Sequence, residues 1–215
     1  MDKNTEQIKK QREGIKLSVN NSDNLFQSAE LLSNNGFNGL AISLLILSAE
    51  ESVKSFALSL ELMLGSKSEV KNIIGDSKSR HVDSYLFIHE DKHKLAKAII
   101  KDLRSISSPW FNLLGVAFPK YKKHFDFFSL SSRQCNEIEQ LLIDFDGFNN
   151  MKNRGLYVDY LKGIWKTPLD LNIVDYKSNQ KKIALIRGIF SPRIKYFLEL
   201  PDKDLGLLME CLNDD

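Results

Sequence analysis

The sequence of 215 residues contains little of what marks disulfide-rich, metal-binding or secreted proteins. It has only two cysteines, Cys135 and Cys211, which form no CxxC pair and do not lie near clustered histidines. Neither a disulfide framework nor a zinc site is therefore expected, and a reducing cytoplasm fits this composition best. The polar N-terminus lacks the apolar core of a signal peptide, so the sequence does not predict secretion.

Long apolar runs and a strong charge bias are also absent. The longest apolar run, residues 40–49, contains serines and ends at two glutamates, well short of the roughly 20 residues that a membrane helix needs. The formal charge is only +2, and basic and acidic residues are interspersed, so composition alone does not point to nucleic acid. With 42% hydrophobic and 27% charged residues, the chain has the composition of a globular protein with one core.

What the sequence does contain is helical periodicity. Residues 37–64 repeat apolar side chains at three- and four-residue spacing over a wide face, which predicts one long helix at the centre of a bundle. Residues 4–34 keep the same period, and the Asn-Asn-Gly sequence at 34–36 is a helix stop. Because the connection is short, the two helices are predicted to pack as an antiparallel αα-hairpin.

The remaining segments complete an all-α prediction. Further helices are expected at about residues 80–106, 131–153, 174–199 and 202–213. The second of these should have Ser131 or Ser132 as its N-cap and should end near Asn153, before Gly155. Pro192 should kink or split the helix that contains it. Residues 66–80 are interpreted as a connector, and residues 156–168 as an extended or hairpin segment. Residues 1–215 are expected to form a single helical domain, in which residues 173–215 are a C-terminal extension packed on the bundle.

An aromatic-rich segment at residues 110–128 allows two interpretations. Its aromatic side chains, among them Trp110, Phe111, Phe118 and Phe125, either complete the core or form an exposed patch that recognises another protein.

Three groups of polar residues are candidates for chemistry. The first lies within the central helix, where Glu50, Glu51 and Lys54 interrupt an otherwise apolar sequence. Glu50 and Lys54 are four residues apart in the favourable order, so an ordinary surface pair is one interpretation. The apolar surroundings favour another, in which partners from other segments neutralise these charges, because unpaired buried charge is costly.

The second group comprises His89, Lys92 and His93. The two histidines share a helix face and have a spacing that can bind a metal, but neither an HExxH glutamate nor a third ligand accompanies them. A contact between a histidine and Glu50 or Glu51 is the preferred hypothesis, since such a pair can exchange protons. A solvated charged face is the alternative.

The third group comprises Arg154, Tyr157 and Asp159. The planar guanidinium of Arg154 can pair with a carboxylate of the central helix or hold a phosphate. A purely structural use is the competing interpretation. Taken together, the three groups predict one polar cluster, which is either a functional site or a structural lock.

The order and separation of these groups resemble a known family. The sequence contains A-x-S-L-x-x-L-x-x-E-E-x-x-K at 41–54, F-x-H-x-x-K at 87–92, R-G-L-Y-V-D at 154–159 and G-x-W-x-x-P at 163–168. In these motifs the chain resembles, over about residues 15–170, the AbiV family of abortive-infection proteins, which is grouped with the HEPN superfamily. The resemblance implies an HEPN-like antiparallel helical bundle, a homodimer and a cytoplasmic role in bacterial defence against phage, with arrest of growth or translation.

Many HEPN proteins are metal-independent ribonucleases that use an Arg-x4–6-His motif at a dimer interface. None of the arginines in this chain is followed by histidine at that distance, and Asp159 stands where the motif beginning at Arg154 would have its histidine. The ribonuclease activity that the resemblance implies would therefore need a different centre. Its expected catalytic residues are Glu50, Glu51, Lys54, His89 and Arg154, its binding residues are Lys92, His93, Tyr157 and Asp159, and no metal or other cofactor is expected. The alternative is a non-catalytic helical module that binds RNA, the translation machinery or a phage or host protein, with a phage protein as the trigger.

Overall fold

The computed structural model describes most of the chain in several stretches. These are residues 3–64, 98–99, 101–102, 119, 122, 131–143, 145–161 and 164–213. The described elements are α1 (Lys3–Asn34), α2 (Asn38–Leu64), α3 (Ser132–Ile143), α4 (Phe145–Leu156), β1 (Asp159–Leu161), β2 (Ile164–Lys166), a 3-10 helix (Pro168–Asp170), α5 (Ile173–Glu199) and α6 (Asp202–Asn213). The predicted all-α helical bundle is confirmed. No helix among these residues has the length and apolar character that crossing a bilayer requires.

The turn between α1 and α2 is a Schellman motif. Gly36 has a φ of 85°, a conformation that favours glycine. The amide of Phe37 donates to the carbonyl of Leu32, and the amide of Gly36 to that of Ser33, both at 3.0 Å. The chain therefore reverses direction within three residues, and α1 and α2 form the αα-hairpin that the sequence predicts.

Buried serines hold this hairpin together. Ser22 of α1 donates through its hydroxyl to the carbonyl of Ser48 at 2.8 Å, and Ser48 returns a bond to the carbonyl of Ser22 at the same distance. The hydroxyls of Ser22 and Ser52 lie 2.7 Å apart. These small side chains let the two backbones approach closely while every buried hydroxyl in the group is hydrogen-bonded.

Helix α2 lies at the centre of the bundle, as the sequence predicts. Its side chains at Ala41, Ile42, Leu45, Ile46 and Ala49 have no exposed surface. A helix buried on nearly all sides needs several helices around it. Helices α1, α4, α5 and α6 all contact α2.

Helix α5 packs on α2 and runs antiparallel to α1. The rings of Phe56 and Phe190 stack with their centroids 4.3 Å apart and an interplanar angle of 12°. On the α1 side, the guanidinium of Arg187 pairs with Asp23 and lies 4.2 Å from the centre of the Phe26 ring.

Helix α5 is continuous across Pro192, so the predicted split does not occur. Buried contacts on both sides of the proline hold the helix together despite the lost backbone hydrogen bond.

Arg12 fastens the far end of α5. Its guanidinium donates to the carbonyls of Leu198 and Leu200 and pairs with Asp202 at 2.7 Å. These carbonyls belong to the end of α5, where backbone acceptors have no intrahelical partner. A cation at this position also complements the negative end of the helix dipole.

The region predicted as one helix at 131–153 contains two described helices, α3 and α4. Ser131 caps α3 as the sequence predicts, because its hydroxyl accepts from the amide of Gln134 at 3.2 Å and the Gln134 side chain accepts from the amide of Ser131 at 3.0 Å. The expected end near Asn153 is wrong, since α4 continues through Gly155 to Leu156. Gly155 is thus a packing residue inside the helix and not a stop signal.

The predicted hairpin at 156–168 is present in short form. Strands β1 and β2 pair antiparallel, with the register Asp159 to Lys166, Tyr160 to Trp165 and Leu161 to Ile164. Thr167 and Asp170 form a capping box at the 3-10 helix that follows, and Asn172 and Asp175 form another at the start of α5.

Other predictions fall outside the described residues. These are the connector at 66–80, almost all of the helix at 80–106, and the aromatic side chains of the segment at 110–128.

Tyr176 on α5 provides a test of the packing between α1 and α5. The side chain is 4% exposed, and its hydroxyl has no hydrogen-bond partner within the described part of the chain. Burial, and to a smaller extent the negative charge of Glu30, raise the pKa of Tyr176 above its ordinary value of 10. The folded state therefore keeps the phenol neutral while the unfolded chain ionises, so stability is complete below pH ~10 and falls as pH rises further.

We expect Tyr176→Phe to raise the free energy of unfolding by about 1 kcal/mol near neutral pH, because it removes an unsatisfied buried hydroxyl. It should also weaken the loss of stability above pH ~10. Urea denaturation between pH 7 and 11 measures both effects. Tyr157→Phe, at a side chain that is 63% exposed, is the control and should change neither. A destabilised Tyr176→Phe protein would mean that the hydroxyl makes a bond of its own.

Candidate functional site: the contact between helices α2 and α4

The candidate site is built on an unusually close approach of α2 and α4. A Cβ atom added to Gly155 would overlap the carbonyl oxygen of Gly39 and the hydroxyl of Ser43. A Cβ added to Gly39 would overlap the carbonyl oxygen of Pro168. Only glycine fits at both positions, so α4 and the 3-10 helix rest directly on the first turns of α2.

Ser43 fixes the register of this contact. Its hydroxyl lies 2.8 Å from the carbonyl oxygen of Lys152 and 3.2 Å from that of Gly39, and its side chain is fully buried. We call the contact defined by Gly39, Ser43, Lys152 and Gly155 the α2–α4 seam. The helices run antiparallel here, since Gly155 lies against Gly39 while Lys152 lies against Ser43, further along α2.

The seam brings Lys152 to Glu50. Lys152 Nζ lies 3.1 Å from Glu50 Oε1 and 3.5 Å from Oε2. The lysine side chain is 11% exposed and the glutamate side chain 20%, so this ion pair joins two helices at the edge of the core. A carboxylate on the central helix is thus neutralised by a distant segment, as the first polar group predicts.

Glu51 and Lys54 form a second, looser pair on α2. Lys54 Nζ lies 4.0 Å from Glu51 Oε2, and the side chains are 22% and 19% exposed. Glu50 pairs with Lys152 of α4, and the predicted i, i+4 contact between Glu50 and Lys54 stays a prediction. Glu50, Glu51 and Lys54 of α2 and Lys152 of α4 therefore form two neighbouring ion pairs. The two negative and two positive formal charges cancel.

Arg154 contacts a neighbour on its own helix, and its predicted role in holding a phosphate stays a prediction. Its guanidinium NH1 contacts Met151 Sδ at 4.0 Å, and the side chain that reaches Glu50 is that of Lys152, two residues earlier. Tyr157 is 63% exposed just beyond the end of α4. Asp159 begins strand β1, in register with Lys166.

His89, Lys92 and His93 lie outside the described residues, so their predicted contact with Glu50 or Glu51 stays a prediction. Within the described part of the chain, no group of three or more His, Cys, Asp or Glu side chains is arranged to hold a metal ion.

Lys152 is the site residue that sequence reasoning missed. A usable signal was present, because Lys152 and Gly155 are three residues apart and hence share a helix face, whereas Arg154 lies on another. Had Gly155 been interpreted as a packing glycine, the lysine would have been assigned to the face that meets α2. The pattern was hidden because glycine near a predicted helix end is usually a stop.

The chemistry available at this site is acid–base and electrostatic. Carboxylates can accept or donate a proton, and ammonium groups can stabilise the negative charge that develops in phosphoryl transfer. The Glu50–Lys152 pair can also act as a lock between α2 and α4, because both charges are partly buried beside each other.

Comparison with known proteins gives the family. The model of the family described as AbiV, of the HEPN type, matches residues 10–184. No curated protein and no solved structure matches the chain. Since the match spans most of the 215 residues, the chain belongs to the AbiV family of HEPN proteins, a family of abortive-infection proteins in bacterial defence against phage.

Proposed function

We propose that this protein arrests growth or translation in a phage-infected cell by acting on RNA at the charged end of the α2–α4 seam. The observation that carries the proposal is that Glu50, Glu51 and Lys54 of the largely apolar core helix α2 lie together with Lys152 of α4. Charges are costly in such surroundings. Each of the four is between 11% and 22% exposed, which leaves them within reach of a ligand.

In the proposed reaction, one glutamate and His89 exchange protons with the attacking and leaving oxygens of the RNA chain. Lys54, Lys152 or Arg154 stabilises the negative charge on the phosphate. Lys92, His93, Tyr157 and Asp159 hold the RNA. The reaction uses no metal or other cofactor, and Lys152 replaces Arg154 as the cation nearest Glu50.

The other parts of the proposal follow from the family. The protein acts in the cytoplasm as a homodimer, and a phage protein triggers it. The single domain, including residues 173–215 as an extension on the bundle, is one cooperative unit in this proposal.

A second function, non-catalytic binding of RNA or of a phage or host protein, has its own support. The ion pair between Glu50 and Lys152 neutralises both groups and joins α2 to α4. In this case the charged group is a lock that holds α4 on α2.

Incubation of the purified full-length protein with total RNA or tRNA, with and without chelator, separates these functions. We expect discrete fragments that persist with chelator, and their loss in Glu50→Gln, Glu51→Gln and His89→Ala proteins. Glu137→Gln is the matched control, because this glutamate lies on α3 in an exposed pair with Arg133. Thermal denaturation of each variant shows whether it is folded.

Intact RNA in a stable complex would favour the binding function over cleavage. Untouched and unbound RNA under every condition, together with unfolding of the Glu50 and Glu51 variants, would contradict the proposal and leave a structural lock.

A further inference from the structure

A cleft lies between the first half of α1 and the end of α5, where Arg12 holds the turn into α6. Its volume is about 790 Å³, which falls within the roughly 300–1,000 Å³ of sites that bind small molecules. Side chains from residues 12–20 of α1 form one wall, and side chains from residues 195–202 form the other. The four charged residues of the proposed RNA site do not line it, so the cleft is separate from the charged end of the seam.

Contacts of Arg12 hold the two walls of this cleft together at one end. Its guanidinium donates to the carbonyl of Leu200 at 2.7 Å and pairs with Asp202 at the same distance. The Arg12 side chain is only 14% exposed, so these contacts are shielded from water. The turn between α5 and α6 is therefore fixed against α1, and the cleft is formed before a ligand arrives, as most small-molecule sites are.

The floor of the cleft is apolar. Val19 of α1 and Leu200 of the turn line it and are each 5% exposed. Leu198 is partly buried against the core, and Pro201 completes the apolar lining. A flat ring placed on this floor would remove apolar surface from water on both sides of the contact, which favours binding.

Polar side chains surround the apolar floor. Lys16 of α1 and Lys195 of α5 line the two walls, together with Glu13, Asn20 and Glu199. Within the described part of the chain, no hydrogen bond or ion pair occupies the side chains of Glu13, Lys16, Asn20 and Glu199. Lys195 Nζ lies 3.7 Å from a carboxylate oxygen of α1, which is a loose contact. These donors and acceptors are therefore available to a ligand.

We propose that this cleft binds a nucleoside phosphate, with the base on the apolar floor and the phosphate between Lys16 and Lys195. Lysine is a common phosphate ligand, and two ammonium groups from opposite walls can hold one phosphate. Glu13 and Glu199 accept hydrogen bonds from ribose hydroxyls, as acidic residues do in dinucleotide-binding domains. The amide of Asn20 can both donate to and accept from a base.

The mixed charge of the lining argues against other classes of ligand. Three basic and three acidic side chains line the cleft, namely Arg12, Lys16, Lys195, Glu13, Glu199 and Asp202. The carboxylates would repel a nucleic-acid strand, and the cations would repel a polyamine. A purely apolar ligand would take water away from these charges without replacing it. A nucleoside phosphate offers an anion, hydrogen-bond donors and an apolar ring in one molecule.

One wall of the cleft lies beyond the part of the chain that the family model matches. The match ends at residue 184, whereas Lys195 and the lining residues at 198–202 follow it. The proposed ligand site therefore belongs to the C-terminal part of this particular chain, and membership of the family does not imply it.

Isothermal titration calorimetry of the full-length protein with AMP, GMP, CMP and UMP, and with the corresponding diphosphates, tests this proposal. We expect at least one of them to bind once per chain with a Kd of about 10–100 μM. Inorganic phosphate and the corresponding nucleoside should each bind at least about 10-fold more weakly, because each makes only part of the contacts. Lys16→Gln/Lys195→Gln should weaken nucleotide binding at least about 10-fold.

Lys177→Gln/Lys181→Gln is the matched control. Both lysines are exposed on α5 and do not line the cleft, and their replacement changes the net charge by the same amount. The control should bind nucleotide like wild type. Circular dichroism should show all three proteins folded, because the substituted side chains are exposed.

Three results would overturn the proposal. The first is a wild-type protein that binds none of these nucleotides at about 1 mM. The second is inorganic phosphate binding as tightly as the nucleotides, which would indicate a simple anion site. The third is a Lys16→Gln/Lys195→Gln protein that binds no more weakly than the control. These measurements use no RNA, so their outcome does not depend on the proposed RNA function.

Discussion

Replacing Gly155 with alanine should lower the free energy of unfolding by about 3 kcal/mol. The added Cβ would overlap the carbonyl oxygen of Gly39, which is backbone and cannot turn aside, and the hydroxyl of Ser43. Relief requires that α4 move away from α2, which also lengthens the hydrogen bond from Ser43 to the Lys152 carbonyl. For a chain of this length, the melting temperature should fall by roughly 6–12 °C.

Gly14→Ala is the matched control for this substitution. Gly14 also lies inside a helix, but a Cβ added there meets nothing within 4 Å. Alanine favours the helix over glycine, so we expect stabilisation of about 0.5–1 kcal/mol. If differential scanning calorimetry gave the same small gain for both alanine proteins, the close approach of α2 and α4 would not exist in solution.

The sequence was sufficient to predict the αα-hairpin and the central position of α2. Both depend on local signals, the apolar period of residues 37–64 and the Asn-Asn-Gly turn, and tertiary packing reinforces them. The short hairpin after α4 was also predictable, because its aromatic and β-branched residues favour extended backbone and glycine and proline bound it.

The predictions that failed depended on tertiary contacts. Pro192 was expected to kink or split its helix, yet α5 is continuous, because Phe190 and Ile194 on either side of the proline are buried; the kink stays a prediction. Gly155 was taken for a position just past a helix end, yet it lies inside α4 against Gly39. In both cases the local preference, worth about 1–3 kcal/mol, was weaker than the packing of the whole helix.

The sequence predicted that the candidate site contains paired, partly buried charges. It did not predict which residue pairs with Glu50. The cost of burying charge correctly indicated a partner from elsewhere in the chain for Glu50, whereas Glu51 pairs with Lys54 of the same helix. It did not identify which cation would arrive, because Lys152 and Arg154 are two residues apart and equally charged. Lys152 reaches Glu50 because it lies on the face of α4 that packs on α2 through Gly155. Which face packs is a property of the tertiary structure.

The ion pair between Glu50 and Lys152 should be worth measurable coupling energy. Replacing Lys152 with methionine keeps most of the side chain's volume but removes the ammonium 3.1 Å from Glu50 Oε1. Breaking a fully buried pair costs about 3–5 kcal/mol. Because these side chains are 11% and 20% exposed, we expect a smaller loss of about 1–3 kcal/mol.

A double-mutant cycle with Glu50→Gln isolates the pair from the packing of each side chain. We expect the Glu50→Gln/Lys152→Met protein to be more stable in urea than the sum of the single losses predicts. The pair of Arg133 and Glu137 is the control, since its 2.9 Å contact is similar but its side chains are 88% and 40% exposed. Its coupling should be only about 0.3–0.5 kcal/mol.

The same double variant distinguishes a lock from a reactive site. If the pair serves only to hold α4 on α2, a folded double variant should act on RNA as wild type does, because neutral partners restore the contact without the charges. If the carboxylate of Glu50 takes part in the reaction, activity should be lost even though stability is regained. Equal coupling energies for the Glu50–Lys152 and Arg133–Glu137 pairs would contradict the lock, because then the partial burial of the seam would not strengthen the interaction of its charges.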